Sequence, residues 1–115
     1  MTIERIKVGP RMSQAVIHGA TVYLAGQVAD NPSADVANQT RQILAKIDGL
    51  LAEAGTDKSK LISANVWLSD ISTFDQMNAV WDEWVTPGKP PARACVESKL
   101  ARPDLKVEIM VVAAR

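Results

Sequence analysis

Glu108 is the most unusual chemical position in this sequence, because it lies inside the last apolar run of the chain. In an extended segment its carboxylate shares a face with the apolar residues Met110 and Val112. A carboxylate on an apolar face needs a partner or takes a raised pKa. The alternative is that the strand lies at the edge of a sheet and the carboxylate is solvated. The sequence leaves both interpretations open.

Arg93, Cys95 and Glu97 alternate along a second segment, so their side chains share one face if that segment is a strand. A guanidinium is the cation best suited to bidentate capture of a carboxylate, although a lone arginine on a strand is often a simple surface charge. Cys95 has no second cysteine and no histidine near it, which argues against a zinc site and a Cys-His nucleophile. A buried structural thiol is the default interpretation of this residue.

Asn78 follows Phe74 by four residues at the margin of an apolar stripe, so it is either a boundary residue or a polar group facing a pocket. The only histidine, His18, falls in a predicted turn, where we expect it to be exposed. The tryptophans are expected to be core or interface anchors rather than a ligand cage, because two of them follow helical spacing. They are Trp67, Trp81 and Trp84. No glycine lies in a phosphate-binding motif, which argues against a nucleotide site.

The composition excludes several classes of protein. The 115 residues carry 13 Lys and Arg against 13 Asp and Glu, and this neutral balance without a basic block argues against a nucleic-acid partner. A single cysteine cannot form an internal disulfide, the first residues lack the apolar core of a signal peptide, and no apolar run approaches the ~18 residues of a membrane span. We therefore expect a cytoplasmic protein without membrane contact, with one domain over residues 1–115.

The first half of the chain predicts a hairpin followed by a helix. Residues 13–28 read as two strands around a turn at residues 18–20. From Asp35 the apolar period becomes that of an α-helix. Its apolar positions are Val36, Ile43, Leu44, Ile47, Leu50, Leu51 and Ala54. Ser33 or Asp35 can cap the start of this helix, and Gly55 can end it in a left-handed conformation.

The second half predicts a strand, a helix and a loop. Residues 62–68 alternate as a half-buried strand does, with Ile62 the first residue of the apolar face. A second helix is predicted over residues 73–85, with Ser72 as its N-cap. Three prolines in residues 87–91 require a loop, because proline removes a backbone donor and fixes φ.

Two more strands are predicted, near residues 93–98 and over residues 106–113, and the last is apolar on both faces, which favours a central position. This order of elements predicts an α+β fold with one mixed sheet covered on one face by two helices. Because two helices cover only one face of a sheet, an apolar second face bearing Met110 and Val112 needs a partner. The pattern therefore favours a homo-oligomer in which sheets pack together.

The segments that carry these residues resemble the Rid/YjgF family of reactive-intermediate deaminases, also called the endoribonuclease L-PSP family. The matching segments are Gly9-Pro10, Ser13-Gln14-Ala15-Val16, Ala25-Gly26-Gln27, Gln39-Thr40, Phe74 with Asn78, Pro91-Ala92-Arg93-Ala94-Cys95-Val96 and Val107-Glu108-Ile109. They occur in the family's order and span nearly the whole chain. The resemblance implies the chorismate-mutase-like fold, usually assembled as a homotrimer with ligand sites in the clefts between subunits.

The same resemblance implies an activity and roles for individual residues. Arg93 would bind the carboxylate of a small 2-imino or 2-enamino acid, and water would attack the imine carbon to release ammonia and a 2-oxo acid. Glu108 would orient or deprotonate that water, and Cys95 would help to position it, partly through its backbone. Asn78 and Gly26 match positions that line the cleft. The resemblance implies no metal and no organic cofactor.

Two departures from the family pattern fall at the predicted cleft. Arg11 and Met12 stand where many members have a tyrosine, and Ala25 stands where they have a serine. Arg11 either recognises a second acidic group of the substrate or is an ordinary exposed residue. Two other functions remain as alternatives: a trimeric protein that binds small 2-oxo or amino acids without turnover, and a ribonuclease or translation inhibitor. The neutral net charge argues against the last.

Overall fold

The computed structural model describes residues 1–115 as one mixed β-sheet with two α-helices on one of its faces. In chain order the elements are β1 (Ile3–Val8), β2 (Ser13–His18), β3 (Thr21–Leu24), β4 (Gln27–Val28), α1 (Val36–Glu53), β5 (Leu61–Leu68), α2 (Phe74–Trp84), β6 (Ala92–Glu97) and β7 (Val107–Ala114). This is the α+β architecture that the sequence predicts, with a mixed sheet and both helices on one side.

Strand β7 lies at the centre of the sheet, as predicted. The strand order is β1-β2-β3-β7-β5-β6, and the short β4 also pairs with β7. Neighbouring strands are antiparallel except for β5 and β6, which are parallel and are connected through α2. Strand β6, which carries the predicted site residues Arg93 and Cys95, therefore lies at an edge of the sheet.

Helix α1 forms as predicted, including both of its ends. The Asp35 side chain accepts a hydrogen bond of 2.8 Å from the backbone N–H of Asn38, which satisfies one of the free donors of the first turn. Gly55 follows the helix with a φ of 83°, the left-handed conformation that glycine adopts without steric cost. The apolar stripe of the helix is buried against the sheet, with Ile43 and Ile47 fully inaccessible to solvent.

Helix α2 begins differently from the prediction. Ser72 is not its N-cap: the Asp70 carboxylate accepts a hydrogen bond from the Ser72 N–H and so caps a 3₁₀ turn over Ile71–Thr73, which the Thr73 N–H closes by donating to Asp70 O. The α-helix then starts at Phe74, after Thr73, whose side chain makes no capping hydrogen bond. An Asp-x-Ser turn before a helix competes with the serine cap for the same residues, and here the turn prevails.

Two further differences concern strands. Strand β1 was not predicted, because most of its residues are exposed and its sequence does not alternate; it depends on pairing with β2 at the edge of the sheet. The prediction that Ile62 begins the apolar face of β5 is wrong. A register shift between Leu61 and Ser63 buries Leu61 and leaves Ile62 half exposed.

The two faces of β7 differ in burial, as the alternation of its residues predicts. Val107, Ile109, Val111 and Ala113 are buried beneath the helices. The residues that alternate with them are half-buried on the other face, namely Glu108, Met110, Val112 and Ala114. We call the second face the open face. It also carries the apolar residues Tyr23, Trp67 and Val96, which pair across the strands with Val112, Glu108 and Trp67. No helix has both the length and the apolar character that crossing a bilayer requires.

Candidate active site

Arg93 lies on the helix-covered face of β6 and is held by α2. Its Cα partner on β5 is Ala64, which is buried under the helices. The Arg93 Nη1 donates a hydrogen bond of 2.8 Å to Oδ1 of Asn78. The guanidinium carbon lies 5.1 Å from the ring centroid of Trp81 and 5.8 Å from that of Phe74, within cation–π range of both. Three side chains of one helix therefore fix the direction of this cation.

The Arg93 guanidinium keeps donors for a ligand after these contacts. Within the chain only Nη1 donates hydrogen bonds, so the N–H groups of Nε and Nη2 are free. Arg93 is half-buried and has no carboxylate partner within the chain. Asn78, predicted as either a boundary residue or a pocket residue, faces this cation. A guanidinium oriented by neutral groups can pair with an incoming carboxylate.

Cys95 follows Arg93 on the same strand face, as predicted, and is half-buried. Burial raises the pKa of its thiol, and the Arg93 guanidinium opposes that shift to a lesser degree. The thiol is therefore protonated at neutral pH and is a poor nucleophile. The Ser98 N–H donates to Leu68 O of β5, and backbone groups alternate in direction along a strand. The Cys95 N–H consequently points away from β5, at the free edge, where it can meet a ligand.

Glu108 lies on the open face of the central strand. Its Cα partners are Trp67 on β5 and Val28 on β4, so the strand is not an edge strand and an edge position does not account for the carboxylate. The carboxylate forms no ion pair and accepts no hydrogen bond within the chain, and desolvation raises its pKa above the ordinary glutamate value. A half-buried, unpaired carboxyl of raised pKa is suited to accept a proton and to return it.

Gly26 lies directly against the Glu108 carboxyl group. A Cβ at this position would lie 3.1 Å from Cδ and 3.3 Å from Cγ of Glu108, and closer still to Oε2. Only glycine leaves space for the carboxylate in its present position. The neighbouring Ala25 is half-buried, and its N–H donates a hydrogen bond of 2.9 Å to Gln14 O, which ties this segment to β2.

Arg93 and Glu108 do not meet within one chain. Their strands flank β5 on opposite sides, about 10 Å apart, and their registers differ by three residues of β5, another ~10 Å. Their side chains also project from opposite faces of the sheet. The four cavities of the chain are lined by other residues. One chain therefore separates the candidate residues into two groups, which we call the arginine half-site (Arg93, Cys95 and Asn78) and the carboxylate half-site (Gly26 and Glu108).

The remaining predicted site residues lie in the exposed turn between β1 and β2. Arg11 is exposed and forms no ion pair, and the Met12 side chain is 57% exposed. The Met12 carbonyl accepts a hydrogen bond of 2.8 Å from the Gly9 N–H, which closes the turn. Neither side chain contributes to a half-site within one chain. No three His, Cys, Asp or Glu side chains converge where they could hold a metal ion.

Sequence reasoning missed how the aromatic residues support the site. Phe74 and Trp81, assigned to an apolar stripe, pack against the Arg93 cation, and Trp67 is the cross-strand neighbour of Glu108. The signal was the helical spacing of Phe74, Asn78 and Trp81, which places all three toward one neighbour. Gln39 and Thr40, by contrast, are structural.

The Gln39 side chain is fully buried and fully paired by backbone groups. Its amide donates to the carbonyls of Pro32, Ala34 and Asp104 and accepts from the Lys106 N–H. It therefore joins the loop before α1 to the loop before β7.

Comparison with known proteins identifies the family. The family model described as Endoribonuclease L-PSP matches residues 2–115. A RutC family protein of Haemophilus ducreyi is 45% identical over 97% of this chain and 96% of its own length, and the RutC family protein YoaB of Escherichia coli is 44% identical over 99% of both chains. The crystal structure of NMB1025 of Neisseria meningitidis, a member of the YjgF protein family, is 43% identical, covers 100% of this chain and 96% of that one, and superposes with a TM-score of 0.97. On this match of sequence and fold, the chain belongs to the YjgF/Rid family, whose model bears the name Endoribonuclease L-PSP.

Proposed function

We propose that this protein is a cytoplasmic hydrolase that converts small 2-imino or 2-enamino acids to 2-oxo acids and ammonia. The observation that carries the proposal is the Glu108 carboxylate, which is half-buried among apolar residues, has no partner and has a raised pKa. A structural carboxylate would be paired or solvated, whereas one that must accept and return a proton benefits from this environment. The free donors of Arg93 support the substrate class, because they suit a carboxylate.

The proposed reaction uses each half-site once. Arg93 holds the substrate carboxylate, and the Cys95 N–H helps to orient the bound molecule. Glu108 accepts a proton from water as the water oxygen bonds to the imine carbon, which forms a carbinolamine. The carboxyl returns that proton to nitrogen, and the carboxylate then takes up the hydroxyl proton and delivers it to the amine as the C–N bond breaks, so that ammonia leaves and the C=O bond of the 2-oxo acid forms. A carboxyl with a raised pKa suits both proton transfers.

We further propose that the complete site forms between subunits of a homotrimer. Arg93 and Glu108 lie on opposite faces of one sheet, so the arginine half-site of one chain needs the carboxylate half-site of a neighbour. The apolar residues of the open face, including Met110, Val112 and Tyr23, offer a surface for that contact. Arg11, Met12 and Ala25 are proposed to line the same cleft.

Hydrolysis of 2-iminopropanoate, produced in the assay by an amino-acid oxidase acting on alanine, tests the activity. Arg93→Ala is expected to lower the rate about a thousandfold, because ~4 kcal/mol of transition-state stabilisation is lost. Glu108→Gln is expected to lower it by two to four orders of magnitude. Arg102→Ala is the matched control, since Arg102 is an exposed arginine that pairs with Asp104 away from both half-sites. An unchanged rate in Arg93→Ala would contradict the proposal.

Mixing two inactive variants tests whether the site is shared. Subunits of Arg93→Ala and Glu108→Gln are unfolded together and refolded at equal concentration. If each site takes Arg93 from one chain and Glu108 from its neighbour, about a quarter of the sites regain both groups and activity returns to that level. A site within one chain would never recover, because every chain carries one defect.

The two alternative functions predict other results. Calorimetric binding of 2-oxo acids, lost in Arg93→Ala, without hydrolysis of any imine would identify a non-catalytic binding protein. Cleavage of RNA by the purified protein, abolished by a single substitution, would identify a ribonuclease despite the neutral net charge.

A further inference from the structure

A polar cavity of about 320 Å³ lies between the first two strands and the C-terminal half of α1. Its lining includes Lys7, Gln14, Gln27, Lys46, Gly49 and Glu53. Neither half-site borders the cavity. Its volume is at the lower end of the range of small-molecule pockets, ~300–1,000 Å³, so it can take a ligand of metabolite size.

The floor of this cavity is a buried amide with an unused acceptor. Gln27 is 3% exposed, and its Nε2 donates to Oε1 of Gln14 at 2.9 Å and to Ala25 O at 3.0 Å. Its Oε1 accepts no hydrogen bond within the chain, and because every buried side-chain oxygen of the structure has a partner, this atom is accessible to solvent. The Gln14 amide, which accepts from Gln27, donates no hydrogen bond through its own Nε2. The floor therefore offers one acceptor and one donor to a ligand.

Lys7 reaches the cavity through an unusual backbone conformation. It is the only residue other than glycine with a positive φ, 52°. The Cα pairing of β1 with β2 skips Lys7 and Gln14, the two residues of these strands that line the cavity. The Lys7 Nζ lies 3.2 Å from Oε1 of Glu53 on α1. An ammonium group has three donors, so two remain for a ligand.

Lys46 contributes the second ammonium group of the lining. Its Nζ donates to Val28 O at 2.9 Å and to Oδ1 of Asp30 at 3.0 Å, which leaves one donor. Within the lining, the two ammonium groups of Lys7 and Lys46 face the single carboxylate of Glu53. Asp30 lies outside the lining but neutralises Lys46 as Glu53 neutralises Lys7, so what the cavity offers an acidic ligand is the unused N–H donors of the two ammonium groups.

Gly49 keeps the wall of the cavity open. It lies inside α1, where glycine costs up to ~1 kcal/mol relative to alanine, and a Cβ at this position would meet no atom within 4 Å. On the side of α1 that faces the cavity, the helix therefore carries a destabilising residue, although a larger side chain would meet no steric obstacle there.

The geometry points to this cavity as a binding site for a small carboxylate that also carries a hydroxyl or amino donor. The free donors of Lys7 and Lys46 receive the carboxylate, and the unused Oε1 of Gln27 accepts the ligand's donor. This cavity is distinct from the proposed active site, because its lining contains no residue of either half-site.

Titration of ¹⁵N-labelled protein with three related probes tests this site. The readout is the side-chain NH₂ signals of Gln14 and Gln27 in NMR spectra. Lactate has both required groups and is expected to shift these signals saturably. Acetate lacks the hydroxyl donor and is expected to bind about tenfold more weakly, and lactamide lacks the charge and is expected to produce no saturable shift.

Variants separate this cavity from the proposed active site. Gly49→Leu places a side chain in the cavity and is expected to abolish the lactate shifts, whereas Ala45→Leu, an exposed position of the same helix outside the lining, leaves them unchanged. Lys7→Gln is expected to weaken lactate binding about tenfold. Arg93→Ala removes the proposed carboxylate anchor and must leave the Gln27 shifts intact. No saturable shift with lactate, or shifts that persist in Gly49→Leu, would overturn the assignment.

Discussion

The two faces of β7 belong to one strand, have the same neighbouring strands and are nearly equal in apolar composition, yet they differ in what covers them. The face of Ile109 and Val111 is buried by both helices, whereas the face of Glu108, Met110 and Val112 is half-buried in the single chain. The helices of the same chain remove the first face from solvent. The open face leaves apolar area and a carboxylate without partners, which are features of a surface that works only against another molecule.

This difference shows how a small α+β chain can carry an unpaired carboxyl group on its sheet without placing that group in the core. The helix-covered face supplies most of the burial, and the Glu108 carboxyl lies opposite it, where its desolvation is incomplete. Stability and the proposed chemistry are thus assigned to alternate residues of a single strand.

The largest expected effect is on the covered face. Ile109→Ala removes fully buried methyl groups and is expected to lower the free energy of unfolding by ~2–5 kcal/mol at every protein concentration. Met110→Ala, its neighbour on the open face, is expected to matter mainly where subunits meet, so its effect should depend on concentration. Urea unfolding at two protein concentrations measures both. If both variants lost the same free energy of unfolding at both protein concentrations, the proposed difference between the faces would be wrong.

Gly26→Ala is the next largest expected effect and acts on the open face. The new Cβ overlaps the Glu108 carboxylate and must displace it, so deamination should fall about a hundredfold. The free energy of unfolding should change by less than ~1 kcal/mol, because the displaced atoms are the end of a flexible side chain. Rate assays and urea unfolding on the same preparation test this. A large loss of stability with normal activity would show that Gly26 is structural.

A smaller effect concerns the pH dependence of stability. Because the pKa of Glu108 is raised in the folded chain, its carboxyl favours folding at pH values below its ordinary value of 4.5, and this contribution is lost as the pH rises through the raised pKa. Glu108→Gln stays neutral and avoids that loss. The variant should therefore be more stable than the parent at neutral pH, and the difference should disappear in acid. Unfolding curves at both pH values decide the matter; equal stability at neutral pH would mean that the ionised carboxylate is well solvated.

The smallest expected effect is a control that touches neither face of the sheet. Gly49→Ala on α1 meets no atom within 4 Å and replaces the poorer helix former, so it should raise the free energy of unfolding by up to ~1 kcal/mol. Deamination should be unchanged. Thermal unfolding and the rate assay together compare this glycine with Gly26. A loss of activity in Gly49→Ala would show that a change on α1 affects the residues of the open face.

Much of the fold could be predicted because it depends on local periodicity. The hairpin, α1 with its caps, and the alternating faces of β7 follow from the spacing of apolar residues and from Asp35 and Gly55. The start of α2, strand β1 and the register shift beside Ile62 could not be predicted, because each depends on a competing turn or on pairing with a distant strand.

The residues of the candidate site could be predicted from their chemical types, but their positions relative to one another could not. Arg93, Cys95 and Glu108 could be selected from their chemistry, but the face on which each projects depends on the register of β6 and β7 against β5. A single-residue change in either register would place Arg93 and Glu108 on the same face. Their separation within one chain therefore emerges only from the assembled sheet.

The parallel pairing of β5 with β6 affects the order in which the two half-sites form during folding. A parallel pair requires a crossover, and here the crossover is α2, the helix whose Asn78 and Trp81 hold Arg93. The arginine is thus orientated by a partner only 15 residues away, within one β-α-β unit. Gly26 meets Glu108 only after the beginning and the end of the chain have come together, at a greater loop-closure entropy. We expect the arginine half-site to form within the β5-α2-β6 unit alone. The carboxylate half-site should form only when the whole sheet has assembled.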